Sequence, residues 1–328
     1  MMIKGVNPRL ARVGLLAGLA LSVALPALAQ APDWPTRPVR VLVIASAGGP
    51  TDLVARLVSD GLSRRSSQRF VVENRTGAGG NIAASAVAQS KDGHTLLFTN
   101  TSHSVNRALY ARLDYDPVKD LTPISIVAES PMVLMVPPNS PYRTVQDLVA
   151  RGRTERLRYA SAGNGGALQL VSLLFLHAAG IRMEEVAYRG SAPAVLDLAA
   201  GRIDMLYDAG ITGFASVQGG QARALAVSAA QRSPVMPEVP TIAEAGFPAA
   251  TFSVWQVLMA PSAMPEATQQ ALQAQLAAVL AEEATQSQLR TLGVDRIVGN
   301  TPEEARRYVA REMLRWEGIL KEAGIEPQ

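Results

Sequence analysis

The chain has no cysteine and only three histidines among its 328 residues. Without cysteine there is no thiol nucleophile, no thiolate metal site and no disulfide framework, and a chain of this length can close a core without one. His94, His103 and His177 are scattered and form no H-E-x-x-H pair, so neither a metal site nor a cofactor is expected. No G-x-S-x-G elbow is present. The glycines at Gly48-Gly49 and at Gly163 to Gly166 are not followed by Lys and Ser or Thr, which excludes a nucleotide P-loop. Gly77-Ala-Gly-Gly80 lacks the last small residue of a dinucleotide fingerprint.

Net charge is also missing. The chain has 31 Lys and Arg against 28 Asp and Glu, and three of the bases, Lys4, Arg9 and Arg12, lie in the first 29 residues, which carry no acid. The rest is balanced, 28 against 28, and no basic stripe points to nucleic acid. Those 29 residues have the layout of an export signal: a basic start, an apolar run from Val13 to Leu25, and Ala27-Leu-Ala29 ahead of Gln30. The apolar run is shorter than the roughly 20 residues a membrane span needs. We expect residues 1–29 to be removed as an export signal and to take no part in the fold.

What the chain does have is small-residue turns between apolar runs. Val39 to Ile44 reads as a strand, Ala45-Ser-Ala-Gly-Gly49 as a tight loop, and the stretch from Leu53 as a helix. Backbone without Cβ lets a ligand approach closely, and the first amides of a helix have no intrahelical acceptor, so such a loop suits an anion. Ala45-Ser-Ala-Gly48 is echoed by Ala160-Ser-Ala-Gly163, again between a strand-like and a helix-like run. Strands at Phe70 to Glu73 and Thr95 to Phe98, with a helix from Asn81 to Gln89, extend the start into β-α-β-α-β, the pattern of a parallel sheet.

Two extended runs from Ile124 to Val136 surround Glu129-Ser-Pro131 and suggest a crossover into a second domain. There a helix from Arg143 to Arg153, strands at Leu157 to Ala160, Glu184 to Ala187, Ile203 to Tyr207 and Ala222 to Ser228, and helices opening at Gly163 to Gly166 and at Ser191 are expected. Thr251 to Ala260 leads back, and Pro265 to Leu292 and Thr301 to Ala323 read as helices that bury against the first domain.

Asn100 to Ser104 is a polar stretch after the third strand, placed by the sheet pattern beside Gly48 to Asp52. It reads as a loop able to hydrogen-bond a ligand; adjacent Ser102 and His103 are poorly placed to act as nucleophile and base. An acid lining a site for an anion would repel it, so Asp52 reads first as an organiser of its loop. Tyr188-Arg-Gly-Ser-Ala-Pro193 forms a third anion cradle, and Asp208 stands at a strand end as Asp52 does.

Gly48-Gly-Pro-Thr-Asp52, Val72 to Asn81, Asp92-Gly-His-Thr-Leu-Leu97, Tyr115-Asp-Pro-Val-Lys-Asp120, Tyr159 to Gly165, Tyr188 to Pro193, Arg223 to Val227 and Pro237 to Thr241 occur in one order. Together they resemble the extracytoplasmic solute receptors of tripartite tricarboxylate transporters, the Bug receptors, over essentially the whole chain after residue 29. The resemblance implies an α/β, two-lobed periplasmic binding protein of type II-like architecture. Each lobe would be a mixed, mainly parallel sheet flanked by helices, with residues 30–128 and 254–328 in one lobe and 129–253 in the other. A monomer would close its interlobe cleft around a small organic carboxylate and pass it to a membrane permease of one large and one small subunit. It is then a receptor and not an enzyme. A sensor serving a membrane kinase and a periplasmic enzyme are the rival readings. Carried onto this chain, the binding residues are Ala47, Gly49, Thr51 and Asp52 in one lobe and Ser161, Gly163, Asn164 and Gly165 in the other, followed by Thr101, Ser102, Tyr188, Gly190 and Asp208. Ala47 stands where the family usually has proline, and Ala209 where Asn or Ser is common.

Overall fold

The computed structural model describes residues 34–161, 166–188, 190–322 and 327, with Met1 and Met2. Contacts divide the chain into Met1–Ala31 and Pro32–Gln328, and the fold below is that of the second unit. The apolar run and A-x-A site read as an export signal lie outside the described residues, as do Gly163, Asn164 and Gly165. Among the described residues no helix is long and apolar enough to cross a membrane.

Strand β1 (Val39–Val43), helix α1 (Pro50–Arg65), β2 (Phe70–Asn74), α2 (Asn81–Ala88) and β3 (Thr95–Asn100) form the expected β-α-β-α-β run. β1 pairs in parallel with both neighbours, Val39 opposite Phe70 and Arg40 opposite Thr95. The next stretch departs from the sequence reading: Ser102–Leu109 is helix α3, not a loop, with His103, Ser104, Val105 and Asn106 buried.

β4 (Leu121–Ser130) ends at Pro131, and β5 (Met132–Val136) begins a second sheet. α4 (Val145–Gly152) opens on a capping box between Thr144 and Asp147. Then come β6 (Arg158–Ser161), α5 (Ala167–Ala179), β7 (Glu184–Ala187), α6 (Ser191–Ala199), β8 (Leu206–Ala209), α7 (Gly210–Gln218) and β9 (Arg223–Val227). The strand expected at Ile203 to Tyr207 sits later, because register pairs Met132 to Met135 with Leu206 to Ala209 and leaves Ile203 as an apolar anchor beside it. α7 had no counterpart in the sequence reading.

β10 (Val254–Pro261) returns to the first sheet, followed by α8 (Glu266–Leu280), α9 (Glu283–Thr291), β11 (Arg296–Ile297) and α10 (Pro302–Glu322). The single helix expected over Pro265 to Leu292 is thus two, split where Glu282 turns to meet Arg64 and Arg65 of α1. The first sheet runs β11-β4-β10-β3-β1-β2; the others are β8-β5-β9 and β6-β7, joined by a parallel bridge from Tyr159 to Met205. The first sheet is mixed, β8-β5-β9 is antiparallel and β6-β7 parallel, a larger antiparallel share than expected, because β10 and β5 run against their neighbours.

Alternation along β1 explains the layering. Val39, Val41 and Val43 join Val54, Val58 and Leu62 of α1 and Leu272 and Leu276 of α8. Leu42 points to the other face, toward Ala83 and Val87 of α2 and Val309 and Met313 of α10. Each such buried side chain is worth roughly 1.5–3 kcal/mol. α10 does more than cover the first sheet: its last turns place Trp316, Ile319 and Leu320 in the core of the second, with Phe175, Tyr207 and Phe252. Where α1 meets α8, Gly61 leaves no room for a Cβ against Val279. Gly61→Ala is expected to destabilise the fold by about 1–3 kcal/mol through overpacking, read as a lower urea midpoint at unchanged slope.

Candidate functional site

The loop between β1 and α1 is held from inside. Asp52 is fully buried and its carboxylate accepts from the Gly48 amide at 2.8 Å, Arg56 Nε at 2.9 Å and Asn74 Nδ2 at 2.7 Å. Asn74 also donates to the Ala45 carbonyl at 2.8 Å, closing the ring of contacts. Burial pushes the Asp52 carboxyl up, but the bonds from Arg56, Asn74 and Gly48 outweigh it and hold the group below the ordinary aspartate value. Asp52 is therefore tied up as a loop organiser. Gly48, at φ +81°, takes the left-handed turn this geometry requires.

The glycine amides are themselves consumed: Gly48 donates to Asp52, and Gly49 donates to the Ser46 carbonyl at 3.1 Å. What the loop presents instead is the first turn of α1. Gly49 is its N-cap with no capping side chain, and Pro50 carries no N–H, which leaves the amides of Thr51 and Asp52 ahead of the first helical bond from Leu53 to Gly49. Ala47 stands exposed at the loop tip. The Thr51 hydroxyl accepts from Asn100 Nδ2 at 3.0 Å, and Asn100 Oδ1 accepts from the Ser102 amide at 2.9 Å, so the ends of β1 and β3 are joined.

Two residues of the Asn100 to Ser104 stretch have structural duties. The Thr101 hydroxyl accepts from the Trp255 amide at 3.1 Å and is buried, fastening β10. His103 is also buried, its Nε2 lying 3.3 Å from the Pro117 carbonyl and its Nδ1 without a partner. Burial drives His103 down to about 4, against the pull of the Pro117 bond. A ligand role for His103 is thereby withdrawn. Ser102 remains half-buried at the start of α3.

In the second sheet, Ser161 ends β6, fully buried, with a hydroxyl that has no partner. Its carbonyl accepts from the Tyr188 amide at 2.9 Å, and the Tyr188 hydroxyl donates to Asp197 at 2.8 Å. Gly190, at φ +108°, is the N-cap of α6 and again offers no capping side chain. The next residue, Ser191, donates to Asp208 Oδ1, which also accepts from the Ala209 amide at 2.8 Å. Asp208 Oδ2 is buried with no partner, and burial pushes this carboxyl up despite the bonds from Ser191, Thr212 and Ala209. Asp52 and Asp208 occupy like positions but opposite electrostatic settings: one has a guanidinium, the other only neutral donors.

The structure thus gathers Gly49, Thr51 and Asp52 with Asn100 and Ser102 around one set of strand ends, and Ser161, Tyr188, Gly190 and Asp208 around another. Arg56, Asn74, Asn100 and Ser191 were not among the expected site residues. Arg56 had a readable signal, four residues after Asp52 on a helix face; the two asparagines and Ser191 act across long sequence separations. Helix starts and hydroxyls can hold an oxyanion by hydrogen bonding. Among the described residues no group of three or more His, Asp or Glu is placed to hold a metal ion.

Residues 54–325 match the model of the tripartite tricarboxylate transporter family receptor. The chain is 36% identical over 324 residues to a UPF0065 protein of Pseudomonas sp. strain P51, from the tcbD-tcbE intergenic region, covering 96% of each chain. Among solved structures, Rpa4515 of R. palustris with adipate superposes with a TM-score of 0.79 at 37% identity, over 90% of this chain and 100% of that one. MatC from Rhodopseudomonas palustris with bound malate gives 0.75 at 31% identity, over 87% and 99%.

Proposed function

The chain belongs to the tripartite tricarboxylate transporter receptor family, and from that premise we propose that it captures a small dicarboxylate in the periplasm for a membrane permease of one large and one small subunit. The observation that carries this reading is the set of helix starts. α1, α5, α6 and α7 each open on glycine or alanine, and none has a capping side chain. Uncapped first-turn amides are donors waiting for an acceptor, and a carboxylate supplies one without needing a cation beside it. The Arg56 guanidinium is already taken by Asp52, which fits recognition by dipoles and hydroxyls rather than by net charge.

The contacts we assign are the first turn of α1 with Ala47, Gly49 and Thr51, Ser102 beside them, and Ser161, Gly163, Asn164, Gly165 and Gly190 from the other lobe. The lobes are assigned as 30–128 with 254–328, and 129–253. A diacid with one carboxylate on each set of loops bridges the lobes, and only such differential contact can shift an open form toward a closed one. The dicarboxylates seen with the two solved relatives, adipate and malate, are the natural first probes.

Titration calorimetry and thermal melts are the test. At a ligand concentration a hundredfold above Kd, a true ligand adds about 2.7 kcal/mol to stability and raises Tm accordingly. A diacid should outcompete the monoacid of equal chain length. If mono-, di- and tricarboxylates, amino acids and aromatic acids all leave Tm unmoved, the carboxylate reading is wrong.

A further inference from the structure

A cavity of about 760 Å³, which shares no lining residue with the glycine loops, lies at the two crossovers between the sheets. Its walls include Ser130 and Pro131 between β4 and β5, and Phe252 and Ser253 ahead of β10. One side comes from the segment after β9, which contributes Arg232; the other comes from β11 and α10, which contribute Arg296, Arg311 and Arg315. A hydrogen bond from Ser233 Oγ to Asp295 Oδ1 at 3.2 Å ties the two sides together.

Four guanidinium groups face three carboxylates here, those of Glu129, Asp295 and Glu312. Arg296 meets Glu129 at 3.1 Å, Arg315 lies 3.7 Å from Glu312, and Arg232 is paired with Glu244, which is not part of the cavity wall. Arg311 stacks its guanidinium over the Tyr308 ring at 5.0 Å and enters no ion pair among the described residues. The Asp295 carboxyl receives only the Ser233 hydroxyl, and burial pushes it up from the ordinary aspartate value.

We propose that this cavity is a second ligand site, taking a small oxyanion on Arg311, the one of its four arginines without an ion pair among the described residues. The volume suits an organic acid or a phosphate, and an arginine freed of carboxylate partners presents a planar fork to either. An occupant touching both the Arg232 segment and α10 restrains the crossovers. It would thereby be linked to carboxylate binding at the glycine loops, a consequence that rests on the function proposed above, whereas the site itself does not.

The test is titration of the purified protein, in separate arms, with inorganic phosphate followed by phosphorus NMR and with adipate followed by calorimetry. Saturable phosphate binding, or a second adipate equivalent, that weakens at least about tenfold in Arg311→Gln is the expected result, and the arm in which it occurs identifies the source of the oxyanion. Arg311 is exposed, so the variant should keep its Tm, and Arg311→Lys should recover part of the affinity. Binding of neither anion at this site, or a loss smaller than tenfold in Arg311→Gln, overturns the proposal. One equivalent of adipate still binds at the glycine loops in Arg311→Gln; its absence from wild type and variant alike would count against the receptor reading and leave the phosphate result standing on its own.

Discussion

Acidification from pH 7 to pH 4 is expected to cost the fold about 3 kcal/mol through His103 alone. In the unfolded chain this imidazole takes a proton near 6.5, whereas burial in α3 holds it down to about 4. Between those values the unfolded chain binds a proton that the folded chain refuses. The contribution of His103 is therefore fully present above 6.5, declines as the pH falls, and is gone below about 4, where both states are protonated. At about 1.36 kcal/mol per pH unit, the gap gives the figure above. Urea midpoints measured at pH 7, 5.5 and 4 should show this loss in the wild type and a flatter profile in His103→Phe. Parallel profiles for the two proteins across that window would refute the assignment. Should the variant fail to fold, proton NMR of the wild type decides: the buried imidazole must not titrate above pH 5.

Replacing Asp52 is expected to have an effect of similar size in a different window. Asp52→Ala leaves the Gly48 amide, Asn74 and Arg56 without their acceptor. Hydrogen bonds to a buried charge contribute about 1.5–3 kcal/mol each, discounted here for Arg56, whose side chain is 46% exposed. A loss of roughly 3 kcal/mol at pH 7 is expected, with weaker carboxylate binding because the first turn of α1 is no longer aimed. Asp52→Asn keeps an acceptor and should fall between. Because the folded Asp52 is more acidic than its unfolded value of 3.8, its contribution is complete above that value and is lost as the pH drops through the lower folded one. The acid step due to Asp52 thus lies below the one due to His103. An Asp52→Ala protein with wild-type stability at pH 7 would show that the loop organises itself without the carboxylate.

The strands and most helices were legible because apolar period and small-residue breaks are local properties. The failures share a cause. Ser102-His-Ser104 looks like a polar loop, yet it lies in α3 with His103 and Ser104 buried, and Ser104 satisfies itself on the Thr101 carbonyl at 2.7 Å. Polarity predicts exposure only when no partner is at hand. The break between α8 and α9 falls where Glu282 meets Arg64 and Arg65, more than two hundred residues earlier in the chain. Likewise, α10 was expected on the first domain alone; its apolar stripe continues into Trp316, Ile319 and Leu320, and nothing in a stripe says which core receives it.

The order of most elements, the places where the chain turns on small residues and the reading of Asp52 as an organiser could be read from the sequence, since each depends on neighbours a few residues apart, and the charge balance after residue 29 is a matter of counting. Only the tertiary structure decided that the Gly48 and Gly49 amides turn inward, that Asp52 meets Asn74 while Asp208 meets Ser191, that His103 is sealed from solvent, and that one helix enters both cores. Those outcomes are set by sheet register and by which helix lies on which face, and register is a long-range quantity that no window of sequence contains.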